Sequence, residues 1–246
     1  MSDLLSRRER IGMILRSLAV QGSWNYETLI GTGFAFTLLP ALRTIYRNDP
    51  DQLEQALARH GAVFNSHPYL ATVAAGAVAR LEADGTDPIL VQRFKDALRG
   101  SLGSLGDRLV WMAWRPTAVL LGLVLLLLGA PWWIAVAVFL VVYNALHLAL
   151  RVWGLRIGLA NGLQVASVLR NAPLQPLATR AADAGALLAG LAVALFIGAG
   201  SADPMRIMAI VVGTGLGLGL GMRARAVAAV AFVATWLVSL ALGSIL

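Results

Sequence analysis

The 246-residue sequence predicts an all-α, polytopic integral membrane protein, with re-entrant or broken helices in its N-terminal half. Its C-terminal half is expected to hold about five transmembrane helices. Three observations carry this expectation. Hydrophobic residues make up 58% of the chain and charged residues only 13%, against roughly 25% charged in an ordinary soluble domain, and the mean hydropathy is +0.73. Charge-free runs recur beyond residue 115, on the scale of the roughly 20 apolar residues that a spanning helix needs. Arginines border these runs and do not gather on one basic face.

The chain divides at Arg115-Pro116 into a motif-bearing, membrane-embedded region (1–115) with re-entrant hairpins and amphipathic helices, and a transmembrane helical region (116–246). The N-terminal stretch MSDLLSRRERIGMILRSLAVQG lacks a long apolar core with a small-residue cleavage site, and Arg16 interrupts it, so no cleavable signal is expected. Between the apolar runs IGMILRSLAV and LIGTGFAFTLLPAL lies a polar and aromatic knot of Gln21, Ser23, Trp24, Asn25 and Tyr26. Residues 29–42 and 61–79 are apolar but broken by Pro40, Asn65, Pro68 and several glycines. Broken backbone at membrane depth survives only where protein or a water-filled cavity satisfies it, as in re-entrant hairpins and transporter substrate sites. Residues 49–60 read as a surface helix capped by Asp49, and residues 81–94 as a polar turn leading into an amphipathic helix.

Beyond residue 115, the run 116–150 is interrupted by Gly129-Ala130-Pro131 and reads as two somewhat short helices joined by a tight turn. Runs at 184–202, 207–222 and 226–246 follow. Arg7, Arg8, Arg10 and Arg16 mark the N-terminus as cytoplasmic, and Arg151, Arg156, Arg170 and Arg180 mark the central loop likewise. Alternation then places Asp203-Pro204 outside, Arg223 and Arg225 inside, and the C-terminus outside. The alternating glycines from 213 to 221 lack the preceding strand and following Lys-Ser/Thr of a nucleotide loop, and read as close helix packing.

Composition excludes several chemistries. With no cysteine, the chain has no disulfide, thiolate metal site, iron–sulfur cluster or cysteine nucleophile. His60, His67 and His147 lack metal-ligand spacing, so neither a metal nor a cofactor is expected. The net charge of +7 is almost all arginine, Lys95 being the only lysine. The placement of the arginines fits a membrane orientation signal better than nucleic-acid binding.

Four segments together resemble one family. Gln21-Gly22-Ser23-Trp24-Asn25-Tyr26 is similar to the Q-G-S-W-N-aromatic signature of the IID component of the mannose/fructose/sorbose-family phosphotransferase system, and Gly33-Phe34-Ala35-Phe36, Leu39-Pro40-Ala41 and Tyr46 continue the match. Arg59-His60 with Phe64-Asn65-Ser66-His67-Pro68-Tyr69 resembles its R-H…F-F-N-T-x-P-aromatic segment. Leu105-Gly106-Asp107, Trp111 and Arg115-Pro116 resemble its G-P-L-A-G-I-G-D…F-W…R-P segment. Tyr143-Asn144 and Arg151-Val152-Trp153-Gly154 resemble its F-N…R-aromatic-aromatic-G segment. Order and spacing agree from about residue 12 to 160. Two departures stand out: Gly100-Ser101-Leu102-Gly103-Ser104 lacks the family's proline, and the residues beyond 170 match only as hydrophobic helices. The longer extracytoplasmic insert of well-known members is also missing.

The resemblance implies a non-catalytic subunit in the cytoplasmic membrane of a bacterium. It implies pairing with a IIC membrane subunit, a higher oligomer of IIC–IID pairs, and a cytoplasmic IIB protein that carries the phosphoryl group on a histidine. His60 and His67 are therefore not expected to be phosphoryl carriers. The departures motivate an alternative, a regulatory or scaffolding membrane protein that kept the fold but lost transport; a phosphotransferase-independent channel is a third reading. A hexose presents hydroxyls and an apolar ring face, so recognition needs amides, hydroxyls or carboxylates together with a stacking ring. Gln21, Ser23 and Asn25 supply the first and Trp24 or Tyr26 the second. The competing reading is that they cap a helix starting near Glu27 and anchor Trp24 at the interface. Asn65 either meets the sugar or satisfies broken backbone. Asp107 either serves the site or pairs with Arg108 or Arg115.

Overall fold

The computed structural model describes residues 4–198. Those residues are helical apart from short connections and isolated backbone bridges. The runs expected at 207–222 and 226–246, the glycines from 213 to 221, Asp203-Pro204, Arg223, Arg225 and the C-terminus lie outside the described residues.

Helix α1 (Arg7–Ser17) starts on a capping box. Ser6 accepts from the Glu9 amide at 3.3 Å, and the Glu9 carboxylate accepts from the Ser6 amide at 2.6 Å. Helix α2 (Gly31–Ile45) starts four residues later than the expected Glu27 and continues through Pro40. The expected break at Pro40 is absent because the ring packs into the space left by Gly12 on α1, with a Cβ on that glycine falling 3.5 Å from the ring. Tertiary packing there outweighs the one ladder bond that proline removes. Helix α3 (Pro50–Gly61) has Pro50 in its first turn and Asp49 as its cap, accepting from the Gln52 amide at 2.9 Å. It is not wholly a surface helix, since Ala56 and His60 are buried.

The segment 61–79 breaks only in the loop before helix α4 (Ala71–Ala83), which is unbroken and buried along most of its length. Asp87 caps helix α5 (Pro88–Gly106) through the amides of Ile89 at 2.8 Å and Leu90 at 3.2 Å. A π-helical segment (Asp107–Trp114) then leads directly into α6 (Arg115–Leu127), giving one continuous helix of 40 residues from Pro88 to Leu127, part of it apolar enough to cross a membrane. The helix therefore does not end at Arg115-Pro116. Gly129, at φ 88°, makes the expected tight turn, and α7 (Trp132–Asn161) follows with 30 residues. Neither helix of that pair is short. A 3-10 turn (Gly162–Gln164), α8 (Val165–Asn171) and α9 (Leu174–Gly198) complete the described chain. Two helical stretches among the described residues, Pro88–Leu127 and Trp132–Val193, are long and apolar enough to cross a membrane.

The residues form two compact units: one up to Val110 together with Asn144–Gln175, the other comprising Trp111–Tyr143 and the residues from Pro176. In the first, α4 and α7 meet backbone to backbone. A Cβ on Gly158 would fall 2.3 Å from the Val73 carbonyl oxygen, and one on Gly76 would fall 2.5 Å from that of Leu155. Small residues here permit the close approach typical of membrane helix pairs. In the second, the Thr117 hydroxyl lies 2.7 Å from the Ala181 carbonyl oxygen, and the Trp114 indole donates to the Val142 carbonyl at 3.1 Å.

Candidate functional site

The loop between α1 and α2 is organised by Asn25. Its amide nitrogen donates to the Ser23 carbonyl at 3.1 Å and lies 2.9 Å from the Thr28 hydroxyl. Its amide oxygen accepts from the backbone N–H groups of Glu27 at 2.9 Å and Thr28 at 2.8 Å. Backbone bonds between Asn25 and Leu29, in both directions, close the turn, and Leu29 takes a left-handed φ of 57°. Asn25 thus shapes a loop and caps no helix: the residue at the N-cap of α2 is Ile30, with no side-chain cap bond. Gln21 and Ser23 are exposed and make no side-chain hydrogen bond among the described residues. Trp24 and Tyr26 form an edge-to-face pair with centroids 4.9 Å apart, and they remain 47% and 90% exposed.

This loop is fastened to the one before α4. The Ile30 amide donates to the Phe64 carbonyl at 3.0 Å, and the Phe64 amide donates to that of Thr28 at 3.2 Å. Gly31 permits the approach, since a Cβ there would fall 2.0 Å from the Ala62 carbonyl oxygen. Asn65 is the next residue, exposed, with no side-chain hydrogen bond among the described residues. The backbone beside it is satisfied by Thr28 and Ile30, so the side chain is not needed to repair a break.

Two residues further on, the His67 ring root seats on Gly106, where a Cβ would come within 2.2 Å. Asp107 follows that glycine, exposed at the start of the π segment. It pairs with neither expected arginine: Arg108 donates to the Gln175 side-chain oxygen at 3.0 Å, and the Arg115 guanidinium lies 4.9 Å from the Trp111 ring centroid. The structure thus joins the 21–26 and 65 positions through paired backbone, and Asp107 follows the glycine on which His67 seats.

Beneath these loops lie two polar clusters that sequence reasoning did not assemble. Glu82, at the end of α4, accepts from Arg59 at 2.7 Å and from His60 at 2.7 Å through one oxygen, and from the Tyr46 hydroxyl through the other. Burial pushes its carboxyl up, but the three donors outweigh burial and hold it at about 2. Burial, then the bond to Glu82 and its charge, push Tyr46 up to about 12. Burial also lowers His60, against the raising influence of Glu82. Lys95 is wholly buried, donates to the Arg59 carbonyl at 3.1 Å, and sits about 6 Å from the Phe34 and Phe64 rings. It thereby places a cation on the last turn of α3, where unpaired carbonyls favour one.

The second cluster surrounds Arg151, which is 2% exposed. Its Nη1 donates to the Ser17 carbonyl, and its Nε donates to His147 Nε2 at 2.8 Å. That bond makes Nε2 an acceptor, so the ring proton sits on Nδ1, 3.3 Å from the Asn144 side-chain oxygen. The His147 ring stacks on Tyr69 at 4.1 Å, and Tyr69 meets His67 edge to face at 5.0 Å. The sequence signals for the first cluster were the lone lysine among arginines and the matched positions Tyr46 and Arg59-His60.

Fold and site together define an all-helical protein with long apolar helices, in which an exposed polar and aromatic loop is tied to the segment bearing Asn65. Residues 4–200 match the profile of the "PTS system mannose/fructose/sorbose family IID component". The chain is 30% identical over 194 residues to the mannose-specific EIID component of Escherichia coli K12, covering 77% of this chain and 68% of that one. It is 32% identical to the sorbose-specific EIID component of Klebsiella pneumoniae, covering 77% and 70%. The cryo-EM structure of the mannose transporter ManYZ in complex with microcin E492 superposes with a TM-score of 0.61 at 30% identity, covering 76% of this chain and 69% of that one. The chain belongs to the mannose/fructose/sorbose family of phosphotransferase-system IID components.

Proposed function

We propose that the chain is the IID membrane subunit of a mannose-type sugar phosphotransferase permease, forming the sugar translocation unit with a IIC subunit in the bacterial cytoplasmic membrane. The observation that carries the site assignment is the exposed loop at 21–26. Gln21 and Ser23 have polar groups uncommitted among the described residues, beside an exposed aromatic pair, on a backbone tied to the segment bearing Asn65. Gln21, Ser23, Asn65 and Asp107 bond sugar hydroxyls, and Trp24 stacks on the ring face, edged by Tyr26. Asn25, with its amide occupied on both sides, holds the loop's shape and meets the sugar only through that shape.

Phosphoryl transfer belongs to a IIB partner bearing a phosphohistidine, with IID non-catalytic. His60 and His67 are buried, and both are engaged in the frame. Residues 1–115 supply the site, and the spanning stretches begin within that region, at Pro88–Leu127, with the N-terminus cytoplasmic, the C-terminus outside, and IIC–IID pairs joined in a higher oligomer.

Sugar uptake by the assembled complex tests the site. Replacing Gln21, Ser23 or Asn65 by Ala, or Asp107 by Asn, removes one hydrogen bond of about 1 kcal/mol, raising the uptake KM roughly fivefold per site while leaving complex assembly intact. Wild-type uptake and KM in all four variants would refute the assignment.

A further inference from the structure

Helices α1 and α2 form an antiparallel hairpin. Glu9 bonds the Thr44 hydroxyl, Gly12 faces Pro40, the Arg16 guanidinium lies 5.2 Å from the Phe36 ring centroid, and Gly33 abuts the Val20 carbonyl. That register places Arg7 and Arg8 of α1 at the same end as Arg43 and Arg47, on and just past the last turn of α2. All four are exposed, and none makes an ion pair among the described residues.

The acids at this end are already engaged: Glu9 is held by Thr44 and Ser6, and Asp49, two residues past Arg47, accepts from the Gln52 backbone and side-chain amides. The exposed acids Asp51 and Glu54 belong to α3, beyond the connecting turn. Away from the arginines the exposed residues change character. Ile11, Leu15 and Leu18 are 45%, 60% and 47% exposed, and Phe36 on α2, against the Arg16 guanidinium, is 45% exposed. At about 100° per residue, Arg7, Arg8, Ile11, Leu15 and Leu18 share one stripe of α1, opposite the buried Met13 and Ser17.

We propose that this hairpin end is a recognition surface for anionic lipid headgroups. Arg7, Arg8, Arg43 and Arg47 meet the phosphates while the Ile11–Leu15–Leu18 stripe and Phe36 lie against the acyl chains. The charge complementarity selects the occupant: four guanidiniums without an ion pair among the described residues, next to an apolar flank, match a phosphodiester surface above hydrocarbon. With α1 being 11 residues long, its length of roughly 16 Å is too short to span the bilayer and suits insertion from one leaflet.

The absence of cysteine allows a direct test. The full chain carrying Leu15→Cys, labelled with a fluorophore and assembled with its membrane partner, is reconstituted in phosphatidylcholine vesicles containing about one part in four phosphatidylglycerol. Quenching by spin-labelled phosphatidylglycerol is compared with quenching by spin-labelled phosphatidylcholine. The expected result is stronger quenching by the anionic lipid. That preference falls by up to about fivefold for each arginine replaced in an R7Q, R8Q, R43Q, R47Q series, and it weakens in high salt. Equal quenching by the two lipids overturns the proposal, as does a preference that survives all four replacements. A label shielded from both quenchers also overturns it, because a protein surface would then cover the hairpin.

Discussion

Replacing Glu82 by Gln keeps the side-chain volume and removes the charge on which three elements converge. In the folded chain one carboxylate oxygen serves Arg59 and His60 and the other serves Tyr46. The amide leaves one of these donor sets facing an N–H₂. Two independent arguments fix the size of the loss. A carboxyl that titrates at about 2 when folded, against an ordinary 4.5, contributes roughly 3 kcal/mol of folding free energy at neutral pH. Removing one partner of a buried ion pair costs about 3–5 kcal/mol. The amide retains part of the hydrogen bonding, so about 3 kcal/mol is expected, which lowers the melting temperature by roughly 6–12 °C for a chain of this size. Tryptophan-monitored thermal unfolding in detergent reads the shift directly. The pH dependence follows from the depressed carboxyl: its contribution is complete above about 4.5 and is lost as pH falls towards about 2. Wild type therefore converges on the variant across that window. A variant that melts with wild type at neutral pH, or a gap that widens on acidification, refutes the account.

At the α4–α7 contact, Gly158→Ala forces a Cβ to 2.3 Å from the Val73 carbonyl oxygen, and the helices must separate; a loss of about 2–4 kcal/mol is expected, seen as reduced folded yield and a lower melting temperature. Gly100→Ala, where a Cβ meets nothing within 4 Å, serves as the control and melts as wild type does or slightly higher. Asn25→Ala removes the bonds that shape the 21–26 loop, so the uptake KM rises by about tenfold or more while the melting temperature falls only slightly, the loop being exposed. An unchanged KM there would show that loop shape is irrelevant to the sugar.

What could be read from the sequence was the chemistry confined to a few neighbouring residues. Asp49-Pro50 and Asp87-Pro88 cap α3 and α5 as their order dictates, and Gly129-Ala130-Pro131 makes the turn its composition calls for. The break expected at Pro40 and the division expected at Arg115-Pro116 show the limit of such reading. Pro40 is absorbed because Gly12, on another helix, leaves room for it. Pro116 is absorbed because the preceding π segment (Asp107–Trp114) has already shifted the hydrogen-bond register, and the return to α geometry leaves a carbonyl that needs no donor from the proline. The loop at 21–26 was conspicuous as a polar knot, but the commitment of Asn25 to its own turn depends on Leu29 adopting a left-handed conformation, which no leucine advertises. Glu82 read as part of a polar turn because its partners lie 22, 23 and 36 residues away. No spacing rule reaches that far.

Many of the residues that carry the family resemblance build the interior of the fold. Arg59 and His60 bind Glu82, Phe64 is wholly buried beside Phe34, Tyr69 packs on His147 and Arg151, and Gly154 lies against Thr72, where a Cβ would meet its hydroxyl at 2.7 Å. These residues share one physical constraint: each fills or satisfies an interior whose failure leaves a buried charge, an unmet donor or a steric clash. Gln21, Ser23, Asn65 and Asp107 carry no such burden, so substitutions there test the proposed sugar contacts without threatening the fold. The absent proline in Gly100-Ser101-Leu102-Gly103-Ser104 falls within the regular helix α5, with open space at Gly100 and Gly103. Replacing a helix-disfavouring residue with serine leaves that helix continuous. The departure from the family pattern changes a helix that needed no proline, and it leaves untouched the frame on which the proposed sugar-facing loop depends.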